Sequence, residues 1–198
     1  MKILAIIPAR GGSKRIPRKN IKLFLGFPVI KYPIDVALKS DLFSEVMVST
    51  EDKEIAEVAA SLGAKVPFLR SVGKADDFTT TAEVLREVLD EYAKLGKHFD
   101  TVCCIYPTSV FVESETLKMA VDKLNSDKVD AVLSVAPYSH PIERALEKRS
   151  SYVTFRFPEN INKRTQDFTP SFYDAGQFYL IKTGVFGKEM KLVVEKTM

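Results

Sequence analysis

The chain has 198 residues, 45% of them apolar and 28% charged, the composition of one ordinary folded domain with or without a small appendage; an intrinsically disordered chain is excluded. The net charge is only +3, so the surface as a whole is not built to bind nucleic acid or another polyanion, and any electrostatic message is local. No apolar stretch approaches the ~20 residues of a membrane span, and one Lys followed by a short strand-like run is too brief for a secretory leader; the expectation is a cytoplasmic protein with no membrane partner.

In chain order, Lys2–Ile7 reads as a buried strand. The next segment, 8–20, reads "PARGGSKRIPRKN". Apolar residues at helical spacing then predict a helix over Val29–Lys39, with Pro33 requiring a later start or a kink. Glu45–Ser49 is a strand. Asp52–Leu62 is a helix with Asp52 as its N-cap and Gly63 as its stop. Lys65–Leu69 is predicted as a strand. The pattern Thr80-Thr81-Ala82-Glu83 is a capping box opening a helix over Thr80–Leu95, stopped by Gly96. Thr101–Tyr106 is a buried strand closed by Pro107; Ser114–Asn125 is a helix capped by Ser114; Ala131–Ala136 is a strand.

The adjacent Cys103 and Cys104 lie in that buried strand and point to opposite faces, so they read as small apolar residues of a reducing compartment rather than a disulfide. After Pro137 charge and turn formers dominate, with one alternating run at Tyr152–Phe155, and Gln177–Ile181 supplies a further strand. The alternation of strands and helices predicts an α/β fold: a mostly parallel, Rossmann-like sheet with helices on both faces. Residues 1–136 and 173–198 form the main body; 137–172 form an inserted β-arm.

In such sheets ligands bind at the carboxyl ends of the strands, which is where 8–20 emerges. Gly11-Gly12 is expected to turn with positive φ and to bring N–H groups close to a ligand. Arg10, Lys14, Arg15, Arg18 and Lys19 surround it with positive charge, for which phosphate is the natural counterpart. The spacing fits neither G-x-x-x-x-G-K-[ST] nor G-x-G-x-x-G. The plain alternative is a solvated basic turn.

"IIPARGGSKRIPRKNIK" (6–22) closely resembles the amino-terminal signature of the cytidylyltransferases that activate nonulosonic acids, such as CMP-sialic acid synthetases. "VSTED" (48–52), "EIAEVAASLGAKVPFLR" (54–70), "YPTS" (106–109), "RTQD" (164–167) and "FYDAGQFYLIK" (172–182) resemble further segments of that family. "YPTS" together with "DAGQFY" favours the branch acting on pseudaminic acid. The resemblance spans about residues 2–185 and implies a nucleotide-diphospho-sugar transferase sheet. The implied reaction joins CTP and a nonulosonic acid to give CMP-sugar and pyrophosphate. It further implies Mg²⁺ and a homodimer paired through 137–172, which would also serve the sugar site.

By analogy, Arg10 and Lys19 face the phosphates as the catalytic cations, and the N–H groups of Gly11, Gly12 and Ser13 cradle the leaving pyrophosphate. Asn20, Arg70 and Thr81 align with nucleoside-contacting positions; taken alone they are equally a turn residue, a surface charge at a strand end and the first residue of a capped helix. For the sugar acid the resemblance offers Tyr106, Thr108 and Ser109, with Arg164 pairing its carboxylate. Gln166, Tyr173, Asp174 and Gln177 would read its substituents; Tyr173 and Gln177 would alternatively pack the arm. His140 reads as structural, because two histidines make no His-rich metal site.

Relatives hold Mg²⁺ on an Asp-x-Asp element beyond the "GQFY" strand. Here the last aspartate is Asp174 and the sequence ends "KEMKLVVEKTM". Three explanations stay open: truncation, another acid such as Asp174 or Asp167, or a metal held mainly by the nucleotide. No metal ligand is assigned. The alternative function is a weak or inactive nucleotide-binding homologue. A sugar-phosphate guanylyltransferase is a further option, disfavoured by the Pro-x-Lys-Asn ending at 17–20.

Overall fold

The structure, a computed structural model, describes residues 1–71, 73, 79–126 and 128–198. Its Cα framework divides into two compact units, 1–133 with 176–198, and 134–175.

The first unit is built on β1 (Ile3–Pro8), β4 (Glu45–Ser49), β5 (Thr101–Ile105), β6 (Ala131–Pro137) and β9 (Phe172–Lys182), in the order β4-β1-β5-β9-β6. β1 pairs parallel with β4 (Ala5 opposite Val46) and with β5 (Ala5 opposite Cys103). β9 runs antiparallel to β5, with Cys103 opposite Leu180. β1 and β5 are almost wholly apolar, with Thr101 the buried polar exception, because both of their faces are covered, the pattern of a central parallel strand.

Alternate residues feed two cores. Ile3, Ala5 and Ile7 meet α1 (Lys31–Lys39), α2 (Lys53–Ser61) and α4 (Ser114–Leu124) through Ile34, Ala59 and Leu117. Leu4 and Ile6 meet α3 (Thr81–Lys94) and α5 (Thr183–Glu189) through Leu85, Val88, Tyr92 and Phe186. Cys103 belongs to the first core and Cys104 to the second, both as free thiols. Burial pushes both thiols well above their ordinary range.

Several element ends follow from local chemistry. Asp52 caps α2 by accepting from the Ile55 N–H at 3.0 Å, and Gly63 leaves it with φ +92°. The capping box of α3 is complete: Thr80 Oγ1 accepts from the Glu83 N–H and Glu83 accepts from the Thr80 N–H. Pro33 sits in the first turn of α1, where no intrahelical N–H bond is required, so the helix begins at Lys31, ahead of the proline. Ser114 is the first residue of α4 rather than its cap; that position belongs to Glu113, which makes no side-chain cap bond. Lys65–Leu69 is not a strand. It touches β4 through a single parallel bridge, Met47 to Lys65, and departs at Pro67, which has no N–H for a ladder. A short hairpin absent from the sequence expectation joins β2 (Leu23–Phe24) to β3 (Phe27–Pro28). The outer side of β6 is closed by the chain's last residues: Asp130 N–H donates to Lys196 O, and Met198 N–H to Ala131 O, both at 2.9 Å.

The second unit carries the hairpin β7 (Leu146–Arg149) and β8 (Tyr152–Phe155), with Leu146 opposite Phe155 and Ser150 at φ +54° in the turn. Arg144 holds it internally, donating to Ile161 O at 2.9 Å while its guanidinium lies 5.3 Å from the Phe155 ring centroid. The Tyr138 and Tyr173 rings meet edge to face at 5.1 Å. β6 leads into this unit and β9 leads out of it.

Candidate nucleotide site

A cavity of ≈ 730 Å³ opens past the carboxyl ends of β1 and β5, large enough for a nucleoside triphosphate by the usual scale of ligand clefts. One wall is cationic and comes from the loop after β1: Arg10, Lys14, Arg15 and Lys19, with Ser13 and Asn20. The opposite wall brings Thr79, Thr81 and Val84 from the start of α3, and Tyr106, Pro107 and Thr108 from the end of β5. Arg70 completes the lining.

The loop is shaped by anchors behind it. The Gly11 N–H donates to Glu51 Oε1 at 2.7 Å. A Cβ at Gly11 would lie 2.5 Å from Asp52 Oδ2, so glycine is required there by space. Neither Gly11 nor Gly12 adopts positive φ; the left-handed residue of this loop is Arg18, at φ +54°. Arg18 turns to the amino end of α2, pairing with Asp52 (Nη2 to Oδ1 3.1 Å) and with Glu54. Among the loop cations it is therefore a strut rather than part of the cavity wall. Its carbonyl then accepts from the Ile21 and Lys22 N–H groups, closing the 3₁₀ turn Lys19–Ile21.

Asn20 is 3% exposed. Its amide Nδ2 donates to Arg10 O at 2.8 Å, which fixes the backbone of the first loop cation. Its Oδ1 is a buried acceptor with no hydrogen-bond partner, and a ligand donor would satisfy it. Arg70 is 7% exposed rather than a surface charge. Its Nε donates to the Ser49 hydroxyl at 3.1 Å and its Nη2 to the Ser49 carbonyl at 2.5 Å. Burial lowers its pKa, against the pull of Glu51 and Glu87. Thr81 is the first residue of α3, and its hydroxyl meets Tyr106 Oη at 2.9 Å in the cavity wall. The Tyr106 ring is further fixed edge to face on Tyr179, centroids 5.6 Å apart.

The structure thus brings together Arg10, Ser13, Lys19, Asn20, Arg70, Thr81, Tyr106 and Thr108. Other expected residues are engaged elsewhere. The Gly11 amide is taken by Glu51 and the Ser13 amide by Gly11 O at 2.9 Å, so these two N–H groups are not presented as a phosphate cradle; Gly12 is not in the lining. Ser109 is buried, and its hydroxyl donates to the Gln177 carbonyl at 2.8 Å, a bond that ties the end of β5 to β9 and withdraws Ser109 from ligand reading. Gln177 uses its carbonyl again for the Tyr106 N–H at 3.0 Å.

Arg164, Gln166, Tyr173 and Asp174 lie on the second unit. There Arg164 is exposed and already bidentate, its Nε and Nη2 each 3.0 Å from the Asp167 carboxylate. Sequence reasoning missed Thr79, Val84 and Ile16, and the anchoring roles of Glu51 and Asp52. The acidic pair in "VSTED" after a strand was the available signal.

Among the described residues no group of three or more His, Cys, Asp or Glu gathers as a metal site, and the described cavity lining holds no carboxylate. A protein-held Mg²⁺ normally needs one or two carboxylates, so these residues do not fit one. No helix among the described residues is long and apolar enough to cross a membrane.

A cationic strand-end cavity on a doubly covered, mostly parallel sheet defines an α/β protein of the nucleotide-binding class. Comparison makes this specific. The sequence model of the cytidylyltransferase family matches residues 4–197, and the chain belongs to that family. It is 41% identical over 180 residues, 90% of this chain and 78% of the relative, to the pseudaminic acid cytidylyltransferase of Campylobacter jejuni. It is 35% identical to N-acylneuraminate cytidylyltransferase A of Danio rerio, over 91% of this chain and 41% of that one. The fold is shared with CMP:2-keto-3-deoxy-manno-octonic acid synthetase complexed with CTP, at TM-score 0.70 and 19% identity, over 94% of this chain and 76% of that chain.

Proposed function

We propose that the protein is a cytidylyltransferase joining CTP and a nonulosonic acid, with pseudaminic acid favoured, to give CMP-sugar and pyrophosphate. The supporting observation is a 41% identity to a pseudaminic acid cytidylyltransferase over 90% of the chain, together with a loop that places Arg10 and Lys19 in one cavity with Asn20 and Arg70. In the reaction the acid's anomeric hydroxyl oxygen bonds to the α-phosphorus and the bond to pyrophosphate breaks. The hydroxyl proton passes to solvent. Such transfers depend on positioning and on neutralising charge that builds on the leaving group. Arg10 and Lys19 supply that charge from a wall already fixed before the nucleotide arrives. Asn20 Oδ1 accepts a donor of the nucleotide, and Arg70 stands over its nucleoside end. Thr81 stands with Arg70 at that nucleoside end, and Tyr106, bonded to Thr81, bounds the acid's side with Thr108.

The proposal extends to the second unit. Tyr152, Val153 and Leu146 are 78%, 65% and 56% exposed on one small hairpin, more apolar surface than a solvated arm needs. This supports a homodimer paired through the arm, with Arg164, Gln166, Tyr173 and Asp174 reading the sugar acid. Mg²⁺ is included as the counter-ion of CTP itself, with no ligand assigned on this chain, and the protein is taken to be cytoplasmic.

The decisive assay is pyrophosphate release by purified protein with Mg²⁺, CTP and a panel of acids including pseudaminic and sialic acid. Release with CTP and pseudaminic acid, and far less with GTP or UTP, is expected. No release with any acid overturns the reading. CTP binding without turnover would instead establish the silent homologue, which is not favoured, because relatives matched over 90% of the chain are named for the transfer.

A further inference from the structure

We infer that residues 51–54 form an acidic clasp whose purpose is catalytic positioning. Glu51 and Asp52 hold the back of the 8–20 loop, and the loop is thereby presented to the triphosphate in one conformation. The inference rests on the cytidylyltransferase reading for what the loop binds, and on the following geometry for how it is held.

A loop bearing Arg10, Lys14, Arg15, Arg18 and Lys19 repels itself, and no helix fixes its shape before the short 3₁₀ turn at Lys19. Besides the internal bond from Asn20 to Arg10, two points tie it to the acidic segment. At the front, the Gly11 N–H reaches Glu51 Oε1 at 2.7 Å, with the Asp52 side chain filling the space a Cβ would need. At the rear, Arg18 pairs with Asp52 and Glu54. Both anchors are residues of one segment, where β4 turns into α2. That segment is itself rigid: Asp52 N–H donates to Thr50 Oγ1 at 3.1 Å, and Asp52 Oδ1 caps the helix at the Ile55 N–H.

Between the anchors the chain bows toward the cavity, placing Ser13, Lys14, Arg15 and Ile16 in its lining, and Lys19 follows directly after the second anchor. Negative charge thus sits behind the loop and positive charge in front of it. The Asp52 carboxylate performs two tasks, capping α2 and holding Arg18, and these can be separated chemically. Asparagine caps a helix as well as aspartate does but cannot form the ion pair.

The test uses Asp52→Asn, Arg18→Ala and their combination in the full chain. The expected result for each single variant is a roughly tenfold rise in KM for CTP, the size of one lost charge-assisted contact. KM for the acid and the melting temperature of Asp52→Asn should stay nearly unchanged. The double variant should be no worse than Arg18→Ala alone, because removing Arg18 already breaks its pair with Asp52. Equal rises in both KM values, unchanged CTP KM, or additive losses overturn the inference.

Limited trypsinolysis reads the clasp without any nucleotide. Cleavage after Lys14, Arg15 or Lys19 should be roughly tenfold faster in Asp52→Asn, as expected when a local opening equilibrium governs cutting. Wild-type cleavage rates in Asp52→Asn also overturn it. Should wild-type protein lack CTP turnover altogether, the functional reading fails, while the proteolysis still decides whether the clasp holds the loop.

Discussion

The cationic loop after β1 and the arm of residues 134–175 are both rich in charge, yet they handle it differently. In the loop, Gly11 is tied to Glu51 and Arg18 to Asp52, both in a segment distant in sequence, while Asn20 bonds back to Arg10 within the loop. In the arm, the bonds stay within the unit: Arg164 pairs with Asp167, Arg149 with Glu147, and Arg144 donates to Ile161 O. The arm instead leaves its apolar residues exposed. A loop that must present several cations to a polyanion needs its backbone held from outside the loop, here at Gly11 and Arg18. A surface that must meet another surface needs exposed apolar area and only local polar order.

The largest effect that sharpens this contrast is expected in the loop. Lys19→Ala and Arg10→Ala should each lower turnover by roughly 10²–10³, the usual cost of deleting a group that stabilises charge in a transition state. Rates within a factor of a few of wild type, in a pyrophosphate-release assay, would place the phosphates elsewhere. In the arm the corresponding change is one of assembly. Val153→Asp sets a charge on an exposed apolar strand, so folding should be unaffected while the dimer weakens at least tenfold by light scattering, a like-charge pair being formed on self-association. A wild-type monomer at micromolar concentration would end the assignment of the arm as a dimer surface.

The two regions also differ in how well the sequence announced them. The loop's signature is contiguous, and the sheet edge that presents it follows from alternating strands and helices, so its cations, Arg10 and Lys19 among them, were legible as ligand-facing, whereas Asn20, Arg70 and Thr81 were named only through the family resemblance. What escaped was long-range. Nothing local says that the Gly11 amide is spent on Glu51, that Ser109 donates to Gln177 O, or that Arg18 faces away from the cavity. Lys65–Leu69 had the composition of a strand, but Pro67 ended its pairing after one bridge. The hairpin strand β7, Leu-Glu-Lys-Arg, has no alternation to betray it and exists through its partner β8.

Arg164→Ala separates the regions by substrate. A roughly tenfold rise in KM for the sugar acid with KM for CTP unchanged is expected from losing a bidentate partner for a carboxylate. A loss of CTP affinity instead would move Arg164 to the nucleotide. The bond from Arg164 to Asp167 provides a further arm of the test. Asp167→Asn releases the guanidinium from its local carboxylate and should lower KM for the acid severalfold; a rise in that KM would make the Arg164–Asp167 pair itself the functional arrangement.

The smallest effect calibrates the others, because it alters a buried hydrogen bond belonging to neither region. Tyr92 is fully buried against Phe68 and Phe99, and its Oη donates to Glu45 Oε1 at 2.5 Å. Burial pushes the Tyr92 hydroxyl's pKa far up, so it stays a donor at every working pH. Burial also pushes Glu45 up, but bonds from Lys97 and Tyr92 outweigh it and hold that carboxyl below its ordinary range. Tyr92→Phe should cost about 1.5 kcal/mol near neutral pH, the scale of a hydrogen bond to a charged group, lowering Tm by about 4 °C in a chain of this size. The sign with pH follows from the depressed carboxyl. Its contribution is complete above the ordinary carboxylate pKa and fades as pH falls through the lower folded value, so the gap between Tyr92→Phe and wild type should narrow in acid. Both KM values should stay put, since Lys97 still holds Glu45 at 2.7 Å and the strand ends do not move. A shift in CTP affinity as large as that of the loop variants would mean that the cavity responds to any loss of core stability, and the contrast between a rigidly held loop and the rest of the molecule would fail.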